Sequence, residues 1–207
     1  MIQTGPKQTA SPEWRTFMSN PAGYADAARL AQCFDGTIGE AACERMLRSQ
    51  RLHERLSELL LDHYGLTAAV SDEPADEVDR AIALSSGEEL EELALRAGAI
   101  YWASSLAAVI AGREAAALQA ALGADLCAIA VANRDLTGPM QPLKPLEDIH
   151  PRVYADGLSC LGAWCRSMSG ETSMRVRLKL MPHELVDQTT AKPFSEAGPA
   201  IVRRAMG

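Results

Sequence analysis

The side chains able to do chemistry in this chain are spaced in ways that limit what they can do together. Cys160 and Cys165 stand five apart on an expected helix, about 140° apart around its axis at roughly 100° per residue. His53 and His63 are ten apart on another helix. They diverge by about 80° and lie too far apart along the axis to share an ion. Cys33 and Cys43 fall in different expected elements, and neither CxxC nor HExxH occurs. No local signature of a nucleophile surrounds any Cys–His pair. The Ala-Leu-Gly-Ala-Asp run around Gly123 lacks the Gly-rich turn and Lys of a phosphate cradle. The carboxylates from Glu88 to Glu92 open a helix, where consecutive acids form a solvated face favoured by the helix dipole. These patterns predict no catalytic residue, no metal and no cofactor.

A basic stripe is the stronger signal. From Met174 to Leu180 apolar and basic residues alternate strictly. Met174, Val176, Leu178 and Leu180 fall on one side, and Arg175, Arg177 and Lys179 on the other, the period of a half-buried strand. Pro182 ends it. Three like charges about 7 Å apart on a strand face repel one another mildly. Either they keep a strand edge solvated, or they dock an acidic or polar partner surface. Trp164, a core type that is also enriched at interfaces, joins them as a candidate contact. A second, separate contact is the acidic segment with Asp72, Asp76 and Glu77.

That acidity is local. The net charge is −7, and between Asp72 and Glu92 nine carboxylates face Arg80 alone. The body is near neutral, which argues against general nucleic-acid binding. At 207 residues with 47% hydrophobic side chains the chain supports a globular core. Met1 to Asn20 has no apolar signal core, and the uncharged run Ala97 to Gly112 is too short to span a bilayer. With five cysteines, reduced thiols and a cytoplasmic location are expected.

The expected architecture is mainly α, an irregular multi-helix domain with a small β element at about 174–180. Residues 1–23 are expected to be a flexible N-terminal segment, anchored at most by Trp14 and Phe17, and 24–207 a single helical domain. Helices are expected over Tyr24–Phe34, and from a Thr37/Glu40 capping box to Gly65. An acidic loop covers about 66–87, with a short helix near Ala75–Leu84. A central helix follows over Glu88–Ala111, where Gly98 permits close approach by a neighbour. Next come Arg113–Leu122 and Ala124–Leu136, a Pro-rich connector over 138–151, a helix over Arg152–Met168, and a last helix near Pro199–Ala205 with Pro199 as its first residue. The connector is the expected pairing partner of the strand.

Tyr154-Ala-Asp-Gly-Leu-Ser-Cys-Leu-Gly-Ala-Trp164-Cys, followed by Arg175-Val-Arg-Leu-Lys-Leu-Met-Pro182, resembles the closing region of the YscK family. These are accessory proteins of bacterial type III secretion systems, with NolU, OrgA and MxiK among them. The family outline is a helix bearing Gly and an aromatic residue, a strand of the form Arg-x-x-Leu-x-Leu-Pro, and a short terminal helix. Arg175, Leu178, Leu180, Pro182 and the Ile201–Met206 tail match it, with Met181 inserted before the proline. The resemblance covers roughly Glu88 to Gly207. It implies a non-enzymatic cytoplasmic scaffold of the sorting platform, at the cytoplasmic face of the inner membrane. Its implied partners are the YscD-type ring's cytoplasmic domain and the YscQ-type pod protein, and indirectly the YscL-type stator and export ATPase. A small-molecule-binding or enzymatic helical domain is the alternative, along with a type III secretion chaperone.

Overall fold

The computed structural model describes residues 10–69, 73–109, 112–188 and 191–207. Among these, thirteen α-helices and no strand are formed. In the N-terminal half they are α1 (Pro12–Ser19), α2 (Ala27–Gln32), α3 (Glu40–Leu47), α4 (His53–His63), α5 (Glu77–Leu84) and α6 (Gly87–Tyr101). The rest are α7 (Ala103–Ala107), α8 (Arg113–Leu122), α9 (Ala124–Ala132), α10 (Ile149–Ser167), α11 (Gly170–Leu178), α12 (Glu184–Asp187) and α13 (Lys192–Met206). The expectation of a mainly α fold holds.

The centre is a three-helix layer of α6, α10 and α13, with α9 packed on α6 and α7. Its core holds Leu90, Leu93, Ile100, Trp102, Val153, Leu161, Trp164, Ile201 and Val202. A second, smaller core joins Leu30, Cys43, Leu56 and Leu60 of α2–α4 with Leu178. Gly98 and Gly157 let α6 and α10 meet. A Cβ at Gly98 would stand 1.9 Å from the Val153 carbonyl oxygen, and one at Gly157 would stand 1.8 Å from that of Ala94.

Several boundaries differ from expectation. The central helix breaks at Trp102, because the amide of Gly138 and the hydroxyl of Thr137 bond the Tyr101 carbonyl, at 2.8 and 3.2 Å, and take over its acceptor. The Trp102 indole meanwhile donates to Asp156 Oδ2 at 2.6 Å. Thr37 does not cap α3: its hydroxyl donates to the Phe34 carbonyl, and Gly39 takes the cap position. The reciprocal capping box sits at Ser86 and Glu89 and opens α6. Gly65 ends α4 at φ 62° as expected. The terminal helix begins at Lys192, not Pro199, since Pro193 lies early enough in it to be tolerated, and Pro199 falls inside.

Within the N-terminal segment, Pro12–Ser19 form α1 and Pro21–Gly23 a 3-10 turn. The α1 helix buries Trp14, Phe17 and Met18. Ser11 caps α1, and its amide and hydroxyl both bond Glu73 at 2.9 Å. The acidic loop carries α5 as the expected short helix, held by the Asp76 cap.

Candidate docking surface

The basic stripe was expected on a strand. Residues 174–178 are helical in α11 instead, and the chain continues through Lys179 to Leu180 without pairing to the connector. Local signals for a helix are present. Ser169 Oγ accepts from the Thr172 amide as N-cap, Glu171 lies in the first turn, and Arg175 and Arg177 lie in the last, each complementing the helix dipole. Alternation failed as a guide because α11 is wedged between the two cores and buried on nearly all sides. Val176 and Leu180 enter the larger core, while Leu178 and Met174 face the smaller one.

Helical geometry splits the basic residues. Arg175 and Lys179, four apart, turn inward on one face. Arg175 is fully buried. Its Nε donates to the Met18 carbonyl at 3.0 Å, and its Nη2 to the Thr67 carbonyl at 2.6 Å. Its Nη1 pairs with Glu171 Oε2 at 2.5 Å. One guanidinium thereby ties α1, the segment after α4, and α11. That bond and those from Thr67 hold the Glu171 carboxyl below its usual range, against burial.

Lys179 Nζ donates to the carbonyls of Ala83 and Ser85 at 2.7 and 2.6 Å, closing the C-terminal end of α5. It lies 4.7 Å from the Phe17 ring centroid and 5.1 Å from that of Tyr24. Burial pushes its pKa down to about 7, with Glu89 opposing. Neither Arg175 nor Lys179 is on the surface, so the solvent-facing stripe is corrected to two internal clamps. Arg177 alone of the three turns elsewhere. It is half-buried, and with Arg166 it lines a cleft beside Met168 and Met174.

Trp164 is fully buried, and its indole donates to Asp79 Oδ1 at 2.8 Å. Arg203 of α13 holds both oxygens of the same carboxylate, at 2.7 and 3.0 Å. Asp79 is thus the hub tying α5, α10 and α13. No residue spacing announced it; the sequence indicated only a short helix near Ala75–Leu84. Asp72 lies outside the described residues. Asp76 and Glu77 are exposed at the start of α5, and Asp76 accepts from the amides of Val78 and Asp79. The structure therefore does not gather the basic residues, Trp164 and the acidic segment into one surface.

Among the described residues no group of three or more His, Cys, Asp or Glu side chains could hold a metal ion. The buried thiol of Cys165 is pushed up to about 11 by burial, with Arg177 opposing, so it remains protonated and unreactive near neutral pH. An apolar pocket of about 240 Å³ lies between α8 and the connector, walled by Ala117, Leu118, Leu143 and Leu146. No single helix among the described residues is long and apolar enough to cross a membrane. The pair α8–α9 passes by combined length and composition, but is bent by 106°.

Residues 12–206 match the family described as YOP proteins translocation protein K (YscK). The chain is 27% identical over 179 residues to the nodulation protein NolU of Sinorhizobium fredii (strain NBRC 101917 / NGR234), covering 86% of this chain and 81% of that protein. A NolU from Rhizobium fredii is 29% identical over 152 residues, covering 73% and 68%. No solved structure matches. The similarity extends well before Glu88 and takes in α1. From α1 to α13, then, this chain belongs to the YscK family of type III secretion translocation proteins.

Proposed function

We propose that the chain is a non-enzymatic scaffold of the type III secretion sorting platform, working at the cytoplasmic face of the inner membrane. It bridges the cytoplasmic domain of the YscD-type ring to the YscQ-type pod protein, and through the pod protein it supports the YscL-type stator and the export ATPase. The observation that carries this reading is the family match over residues 12–206. The interior adds support. Arg29, Arg175, Lys179, Asp79 and Trp164 all serve ties between elements, the work expected of a rigid adaptor. Among the described members of the candidate set, Asp76 and Glu77, exposed at the start of α5, and half-buried Arg177 are left to meet partners.

Co-purification of the tagged full chain with purified ring domain and pod protein tests the reading. Recovery of both in constant ratio is expected. A chain that retains neither, but carries a bound metabolite, would sink the scaffold in favour of a small-molecule-binding domain.

A further inference from the structure

The pocket between α8 and the connector leaves aliphatic side chains open to solvent. It is lined by Val109, Ala117, Leu118, Leu143 and Leu146, of which Leu118 alone is buried. At about 240 Å³ it exceeds the roughly 150 Å³ of an apolar cavity that admits benzene, so one ring or branched aliphatic side chain fits. The connector wall is fastened and does not fall in to close the gap. The Gln141 amide donates to Ser105 Oγ at 2.7 Å, and Arg152 Nη2 donates to the Pro142 carbonyl at 2.6 Å. The same guanidinium lies 4.8 Å from the Trp102 ring centroid. Apolar surface continues past the pocket. Ala116, Ala117 and Ala120 are exposed on α8, and Met140, three residues before Leu143, is 67% exposed.

Charge around the pocket is biased. Arg113 lines it from α8 and Lys144 from the connector, and Glu114 is the one carboxylate among the lining residues. All three are exposed, and none of their side chains has a hydrogen-bond or ion-pair partner among the described residues. Glu147 and Asp148 follow in the next turn but do not line the pocket. In a chain of net charge −7, two free cations beside an aliphatic hollow are a local excess that an acidic partner complements.

We propose that this pocket receives a bulky apolar side chain from a partner-protein helix that carries carboxylates one turn to either side. Burial of the anchor supplies the affinity. The exposed ion pairs add little to it and chiefly guide encounter and orientation. A helix can lie along α8 because Ala116 and Ala120, four apart, present only methyl groups there. A small amphipathic molecule would fill the pocket yet leave those methyls and Met140 wet, which favours a protein. The proposal rests on the reading that partner proteins hold this chain.

The test uses the full chain and a fluorescein-labelled helical peptide with one phenylalanine and a glutamate one turn before and after it. Two controls carry alanine for the phenylalanine, or lysine for both glutamates. The first peptide is expected to bind at least about tenfold tighter than either control. Ala117→Phe fills the pocket from its own wall and is expected to abolish the phenylalanine preference. Ala117 is exposed, and an unchanged urea midpoint confirms that the fold survives. Arg113→Glu combined with Lys144→Glu, both at exposed positions, is expected to abolish the preference for glutamate over lysine. Equal binding of the phenylalanine and alanine peptides, or a preference that outlives Ala117→Phe, overturns the assignment. So does displacement of the peptide by equimolar octanoate, which marks a small-amphiphile site, or a wild-type dimer that Ala117→Phe turns to monomer, which marks a second copy as occupant. The same proteins are then offered purified pod and ring proteins. If wild type and Ala117→Phe retain them equally, the pocket is overturned as their dock while the scaffold reading stands. If wild type binds the peptide and neither protein, the pocket stands and the scaffold falls.

Discussion

Lys179 is 7% exposed and lies on two aromatic rings while its ammonium closes two carbonyls of α5. Burial lowers its pKa to about 7 in the folded chain, against about 10.4 for an unperturbed lysine. Between those values the unfolded chain binds more protons. Stability contributed here is therefore full above the unfolded value and lost as pH falls toward 7. The buried thiol of Cys165 acts oppositely. With its pKa raised to about 11, its contribution is full below about 8.5 and lost at higher pH. The clean window is thus pH 7 to about 8.5. Wild-type stability there is expected to rise by up to about 1.4 kcal/mol per pH unit, and Lys179→Met is expected to flatten the rise. Urea unfolding at intervals across the window measures it, and equal slopes for both proteins would show that Lys179 does not titrate there.

At the scale of elements, the contact between α6 and α10 rests on two glycines whose absent side chains admit the opposing backbone. Ordinary helix pairs stand 8–10 Å apart, and a methyl at Gly157 would need this pair to separate. Gly157→Ala is expected to cost about 3 kcal/mol, read from the urea midpoint at unchanged m. A loss under about 0.5 kcal/mol, the range of ordinary surface changes, would mean the helices part freely. The close approach at Gly98 was legible in the sequence, because a glycine inside a strong helix former invites a packing reason. The form of α11 was not. Period-2 alternation reports a strand when one face is wet, and here both sets of residues are buried, with Arg175 and Lys179 reaching backbone carbonyls inside. The Thr37/Glu40 spacing likewise matched a capping box that the fold builds at Ser86/Glu89 instead. Such a spacing states which bonds can form, while the tertiary path of the chain decides which do. For the candidate site the same limit applies. Arg177 was singled out from its own run, but its pairing with Arg166 depends on α10 and α11 folding back on each other, which no local pattern records.

Across the whole molecule, the first helix decides whether the two cores hold together. The sequence up to Gly23 is rich in Pro, Ser and Thr, a composition suited to a mobile end, yet Trp14 and Met18 are fully buried and Phe17 nearly so. Burial of each such side chain contributes roughly 1.5–3 kcal/mol. The α1 helix also supplies the Met18 carbonyl to Arg175 and the Phe17 ring beneath Lys179, so its removal would strip partners from both buried cations of α11. Breaking a buried charge's contacts is worth about 3 kcal/mol more, against a total stability of roughly 5–15 kcal/mol for a protein domain. A chain beginning at Tyr24 is therefore expected to lose cooperative unfolding and to aggregate, with damage reaching α11 at the far end of the sequence. Hydrogen exchange would locate that damage: faster exchange at the amides of residues 171–180 in the truncated chain is the expected result. A truncated chain that unfolds cooperatively with the wild-type midpoint would show instead that α1 merely rests on a body already complete without it.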